Sequence, residues 1–120
     1  RFNDAFGHQA GDEILKAIAK LLKELVRGID FVARYGGEEF IVLAPATNKQ
    51  GVIALAERLR TGVEQVGWLH SPVTASFGTS THLPELPWQL ERVIAAADKA
   101  LYFAKEQGRN RVNHVDLIAS

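Results

Sequence analysis

The 120-residue chain contains no cysteine and no methionine. Without cysteine there is no disulfide framework, and no thiolate for nucleophilic or redox chemistry. Acidic and basic side chains balance at 14 each, so the formal net charge is zero. Nothing in that balance advertises a nucleic acid or an anionic membrane as partner. No apolar run approaches the length of a membrane span, and no signal-peptide pattern is present. The histidines His8, His70, His82 and His114 are scattered and show no metal-ligand spacing. The absence of methionine, with a start at Arg1-Phe2-Asn3-Asp4, gives the expectation that the chain is a piece of something longer, incomplete at its N-terminus.

What is present is ordinary for a globular domain: 47% apolar and 23% charged residues. The length suits one domain over residues 1–120 with a real core. Residues 1–11 read as a short polar segment punctuated by Gly7 and Gly11. Asp12 is the expected N-cap of a long helix in which Ile14, Leu15, Ile18, Leu21, Leu22, Leu25 and Val26 recur at helical spacing, with Gly28 as its stop. Thr47 or Asn48 caps a second helix carrying Leu55, Leu59 and Val63. Pro72 opens a strand in which Val73, Ala75 and Phe77 alternate with Thr74 and Ser76. A loop over 79–87 holds Pro84 and Pro87, the latter suited to a helix first turn. A third helix runs from about Leu90 to Gly108, then a strand over Arg111–Val115 and a tail over 116–120. The order is helix, strand, strand, helix, strand, helix, strand. It predicts an α+β fold with helices on one face of a mostly antiparallel sheet. One more strand ahead of the first helix would complete a ferredoxin-like arrangement.

Between the first two helices lies Arg34-Tyr35-Gly36-Gly37-Glu38-Glu39-Phe40. Strand-like runs enter and leave it over 31–43, so paired glycines between them read as a hairpin turn using positive φ. A turn that fixes two carboxylates suits a hard cation such as Mg²⁺. Two more clusters stand out. Asn3-Asp4 precedes Gly7-His8 and Gly11-Asp12; Lys105 and Arg109, four apart, share a helix face at its C-terminal end. Each has an ordinary explanation when taken singly: a solvated tip, a helix cap, cations offsetting a helix dipole.

Taken together, the clusters resemble the GGDEF family, the diguanylate cyclases. The resemblance rests on Asn3-Asp4-Ala5-Phe6-Gly7-His8-Gln9-Ala10-Gly11-Asp12-Glu13, on Arg27-Gly28-Ile29-Asp30, on Gly36-Gly37-Glu38-Glu39-Phe40, and on Ala97-Asp98 through Asn110. These follow the family's order and spacing over nearly the whole chain. The implied fold is a nucleotidyl-cyclase-like, ferredoxin-related sheet with helices packed on it and its first strand missing here.

The resemblance implies that two GTP molecules condense to cyclic di-GMP and two pyrophosphates, each held by one domain of a homodimer. The 3′-hydroxyl of one attacks the α-phosphorus of the other, a transfer governed by positioning and charge neutralisation. Glu38 corresponds to the metal-binding acidic residue, for Mg²⁺ or Mn²⁺, and Glu39 to a further active-site residue. Gly36 and Gly37 correspond to backbone that approaches the nucleotide. Asn3 and Asp12 correspond to the residues reading guanine, whose N1–H and N2–H₂ suit a carboxylate. Lys105 and Arg109 correspond to a clamp on the terminal phosphates. Arg27 and Asp30 correspond to a product-inhibition site for cyclic di-GMP. His8 and Asp98 belong to the pattern as structural residues. GTP supply implies a cytoplasmic domain whose parent can be membrane-anchored, with no direct nucleic-acid or membrane binding.

The family also has an Asp-x-Asp-x-Phe-Lys stretch just before the position of Asn3. It supplies a second metal-binding aspartate and a phosphate-binding lysine, both falling before residue 1. The expectation is an active cyclase in the parent and an inactive fragment on its own, prone to swapped assembly. The alternative is a catalytically silent module that binds cyclic di-GMP or GTP for regulation.

Overall fold

A computed structural model of the chain describes residues 2–68, 72–82 and 89–116, with backbone only over residues 2–10. The elements in order are helix α1 (Phe2–Leu25), strands β1 (Phe31–Arg34) and β2 (Phe40–Leu43), helix α2 (Lys49–Glu64), strand β3 (Phe77–Thr79), helix α3 (Leu90–Glu106) and strand β4 (Val112–His114). This is the expected α+β sequence of elements. Among the described residues the strands form two separate pairs. β1 and β2 are antiparallel, with Phe31 opposite Leu43 and Arg34 opposite Phe40. β3 and β4 are parallel, with Phe77 opposite Val112 and Thr79 opposite His114. The parallel pairing follows from connectivity, because α3 lies between β3 and β4 and a helical crossover returns the chain in the same direction.

Three sequence expectations are corrected. The first helix begins at Phe2, so Gly7 and Gly11 lie inside it and Asp12 is an exposed mid-helix residue, not a cap. A glycine costs a helix interior about 1 kcal/mol relative to alanine. Gly11 is buried, and packing of that kind outweighs propensity. The third strand is the second correction: residues 72–76 join no strand ladder among the described residues, and the ladder covers only Phe77–Thr79. Alternation marks a surface able to join a sheet, but a strand extends only as far as its partner. The third concerns Gly36 and Gly37, neither of which adopts the left-handed φ expected of a tight turn. His70, Pro84, Pro87 and the end of the tail lie outside the described residues.

The core forms where α1 and α2 cover the hairpin. Leu22, Leu55 and Leu59 are buried together, flanked by Ile18, Leu25, Val26, Val32, Phe40, Val42 and Phe77. Burying each such leucine contributes about 1.5–3 kcal/mol. Asn48 caps α2 as expected, its side-chain oxygen accepting from the Gly51 N–H at 2.9 Å. Arg58 of α2 donates to the Leu25 carbonyl at 2.7 Å, satisfying an orphan acceptor at the end of α1. On the other side α3 buries Ala100 and Ala104, one turn apart, and packs closely on β3.

His114 ends β4 with its Nδ1 2.6 Å from the Thr79 hydroxyl. Burial lowers its pKa below the ordinary 6.5; nearby Lys49 lowers it further, and Asp116 partly opposes this. The unfolded chain therefore takes up a proton that the native state resists. The corresponding stability is fully present above pH 6.5 and is lost as pH falls toward the native-state value. Urea midpoints measured at about pH 7.5 and about pH 5 are expected to fall with acid. In His114→Gln the part of that fall lying near neutrality is expected to disappear.

Candidate active site at the hairpin tip and the end of the third helix

The hairpin tip is held by main-chain bonds. The Tyr35 N–H donates to the Glu39 carbonyl at 2.8 Å and the Gly36 N–H to the same oxygen at 3.4 Å. The Arg34 guanidinium folds over the turn, its Nε donating to the carbonyls of Gly37 at 3.2 Å and Gly36 at 3.3 Å, while its Nη2 also reaches Gly37. A Cβ at Gly37 would meet nothing within 4 Å, and one at Gly36 would make ordinary contact, 3.7 Å, with Glu39 Oε1. Neither turn geometry nor internal packing demands the two glycines. Their effect is to leave bare backbone on an exposed tip, open to close approach from outside. Glu38 and Glu39 are both exposed there. Mg²⁺ typically takes one or two carboxylates together with substrate phosphates and water, and this donor set suits it. Among the described residues no cluster of three His, Asp or Glu side chains is placed to hold an ion.

The end of α3 is built by a left-handed turn. Gly108 has φ 123°, Arg109 63° and Asn110 48°. The Arg109 N–H donates to the Ala104 carbonyl at 2.9 Å and the Gly108 N–H to the Lys105 carbonyl at 3.4 Å, the two bonds of a Schellman cap. Arg109 therefore lies beyond the helix. It does not share a helical face with Lys105, although both are exposed at the same helix end. Arg111 is a third cation here, its Nε donating to the Arg109 carbonyl at 3.2 Å. Sequence reasoning missed it, although three basic residues within seven positions were a visible signal.

Asn110 anchors this turn. Its Oδ1 accepts from Arg60 at 3.0 Å, its Nδ2 donates to Glu64 at 2.6 Å, and its N–H donates to the Ser76 hydroxyl at 3.0 Å. Arg60 is itself paired with Glu57 at 2.5 Å. Asparagine is among the few residues that tolerate this φ. Asn110→Ala loses two bonds to charged partners and strains the backbone, and is expected to cost about 2–4 kcal/mol in urea unfolding. Asn110→Gly is expected to recover the backbone part.

Arg27 and Asp30 do come together. Nε and Nη2 of Arg27 reach the Asp30 carboxylate at 3.0 and 2.7 Å, and the Arg27 N–H donates to Oδ2 at 2.9 Å. The hydrogen bonds from Arg27 hold the Asp30 pKa below its ordinary value. The carboxylate is fully covered while the Arg27 side chain stays 41% exposed. Asn3 and Asp12 sit on α1 nine residues apart, about 13.5 Å of helix rise, so the helix does not bring them together.

The GGDEF family description, "Diguanylate cyclase, GGDEF domain", matches residues 1–111. The chain belongs to the GGDEF family. It is 43% identical over 114 residues to diguanylate cyclase A of Treponema denticola, an alignment covering 92% of this chain and 30% of that protein. It thus spans under a third of that relative's length. Among solved structures it resembles the active GGEEF domain of a diguanylate cyclase from Vibrio cholerae, with TM-score 0.86 and 32% identity over 97% of this chain and 75% of that one. It also resembles the GGDEF domain of DgcB from Caulobacter crescentus in complex with cyclic di-GMP, with TM-score 0.86 and 32% identity over 94% of this chain and 69% of that one. These likenesses agree with the α+β fold. In this GGDEF chain the signature tip, the cations ending α3, the Arg27–Asp30 pair and Asp12 are carried on four different elements. No described helix is long and apolar enough to cross a membrane.

Proposed function

We propose that the protein carrying this domain is a diguanylate cyclase that condenses two GTP molecules into cyclic di-GMP and two pyrophosphates across a homodimer. The observation that carries the reading is the tip: bare glycine backbone next to exposed Glu38, pinned by Arg34, in a chain of the GGDEF family. Glu38 would hold Mg²⁺ or Mn²⁺, with Glu39 as a further active-site carboxylate. When bound, the ion supplies Lewis-acid polarisation of the phosphates and lowers the pKa of the attacking 3′-hydroxyl. Gly36 and Gly37 allow the triphosphate to lie against main chain. Lys105 and Arg109 neutralise the terminal phosphates, so that the pyrophosphate leaves from a site that already balances its charge. Asn3 and Asp12 contact guanine; nine residues apart on α1 they lie on opposite faces, so joint contact requires the first turns of the helix to unwind, and Gly7 and Gly11 lie between them at positions that favour it.

Arg27 and Asp30 bind cyclic di-GMP as an inhibitory product. The pair is preformed, and the Arg27 guanidinium keeps an exposed edge that suits the O6 and N7 acceptors of guanine. Arg27→Ala is expected to remove product inhibition in progress curves while leaving the initial rate within about threefold, since the side-chain bonds of Arg27 run to Asp30, Pro45 and Thr47. Inhibition unchanged in that variant would remove the product site from the account. A silent binding module predicts no turnover in either protein.

A further inference from the structure

Arg27 has five N–H donors, and the structure accounts for most of them. Nε–H and one Nη2 proton face Asp30. The remaining Nη2 proton faces the β2–α2 turn, where the Thr47 hydroxyl oxygen lies at 2.6 Å and the Pro45 carbonyl at 3.3 Å. Thr47 does not offer its own proton to Arg27. It donates to the Pro45 carbonyl at 2.9 Å, which turns an oxygen lone pair toward the guanidinium. The residue between the two acceptors, Ala46, has φ 52°, an unfavourable conformation for alanine. The turn thus holds a strained geometry that aims two acceptors at one nitrogen.

A guanidinium meets a planar pair of acceptors end-on through Nη1 and Nη2. Asp30 leaves that edge open and Thr47 does not. Thr47 occupies the Nη2 proton that belongs to the end-on fork, so an incoming guanine edge has only Nη1 fully available. We propose that Thr47 sets the affinity of the Arg27 site by competing, through its hydroxyl oxygen, with the guanine edge of a cyclic dinucleotide for Nη2. The inference rests on the reading of Arg27 and Asp30 as a product site. Thr47 is a positioning residue there: it acts through Arg27. It precedes the N-cap Asn48, so replacing it leaves the cap of α2 intact.

Isothermal titration of the protein with cyclic di-GMP tests this. Thr47→Val keeps the shape and removes the oxygen. It is expected to bind cyclic di-GMP about threefold to tenfold more tightly, the equivalent of one freed hydrogen bond. Thr47→Ser restores the oxygen and is expected to match the parent, while Thr47→Ala gives a second removal of the oxygen with a smaller side chain. Tighter binding in both Val and Ala with parental binding in Ser supports the competition. Unchanged or weaker binding in Val and Ala, alongside loss of binding in Arg27→Ala, overturns the role of Thr47 and leaves the product site standing. Unchanged binding in Arg27→Ala removes the product site and the role of Thr47 with it.

Discussion

Glu38→Gln in the intact protein is expected to lower cyclic di-GMP formation by about a thousandfold or more, with thermal unfolding unchanged. The substitution removes a charge and keeps shape. Glu38 is exposed at the tip, where replacement away from packing changes stability by about 0.5 kcal/mol or less. Its proposed work is electrostatic: it anchors the divalent ion that neutralises charge on the transferring phosphate, and such clamps supply several kcal/mol of barrier lowering. The neutral amide is a poorer ligand for a hard cation. The loss should fall on kcat and kcat/KM together, because the interaction is strongest in the transition state. Raising Mn²⁺ should recover only part of it. A variant that retains turnover within about threefold of the parent would end the metal-ligand role.

Gly78→Ala is expected to be strongly destabilising. A Cβ at this position collides with the Ala97 carbonyl oxygen and the Leu101 nitrogen, and lies 2.7 Å from the Leu101 Cα. All three are main-chain atoms of α3, so no side-chain rotation relieves the contact. α3 must move off β3, opening the packing around buried Ala100 and Ala104. Overpacking of this kind costs about 1–3 kcal/mol and sometimes more, and a rigid backbone obstacle places this case at about 3 kcal/mol or above. Against a typical total of about 5–15 kcal/mol, that is a large fraction. Urea denaturation would read it directly, and a cost under about 1 kcal/mol would show that β3 and α3 can separate freely. The same methyl at Gly37 meets open space. Gly37→Ala is therefore expected to fold normally and to lose activity only through obstruction of the tip.

Much of the fold was legible because periodicity and capping agreed. The apolar spacing of Leu55, Leu59 and Val63 and the Asn48 cap placed α2, and two apolar runs around paired glycines placed the hairpin. The start of α1 was not legible, because Gly7, Gly11 and Asp12 are read locally as breakers and a cap, whereas burial at Gly11 is a tertiary fact. The span of β3 depended on its partner β4, which the alternation of Val73, Ala75 and Phe77 does not encode. At the site, the acidic tip and the cations ending α3 were visible as residue types at fixed spacing. The departure of Arg109 from the helical face of Lys105 was hidden, since it comes from the positive φ at Gly108 and Arg109. The roles of Arg34, Thr47 and Arg111 were not legible for a shared reason. Each works through hydrogen bonds to main-chain carbonyls or to another cation's donors, and such partners exist only once the turns have formed.

Whether the domain serves the joining of two GTP molecules is decided by incubating the intact protein with GTP and Mg²⁺ and quantifying nucleotide products and pyrophosphate together. The expected result is cyclic di-GMP with two pyrophosphates released for each molecule formed. GTP left unconverted, or hydrolysed without cyclic di-GMP, would contradict it.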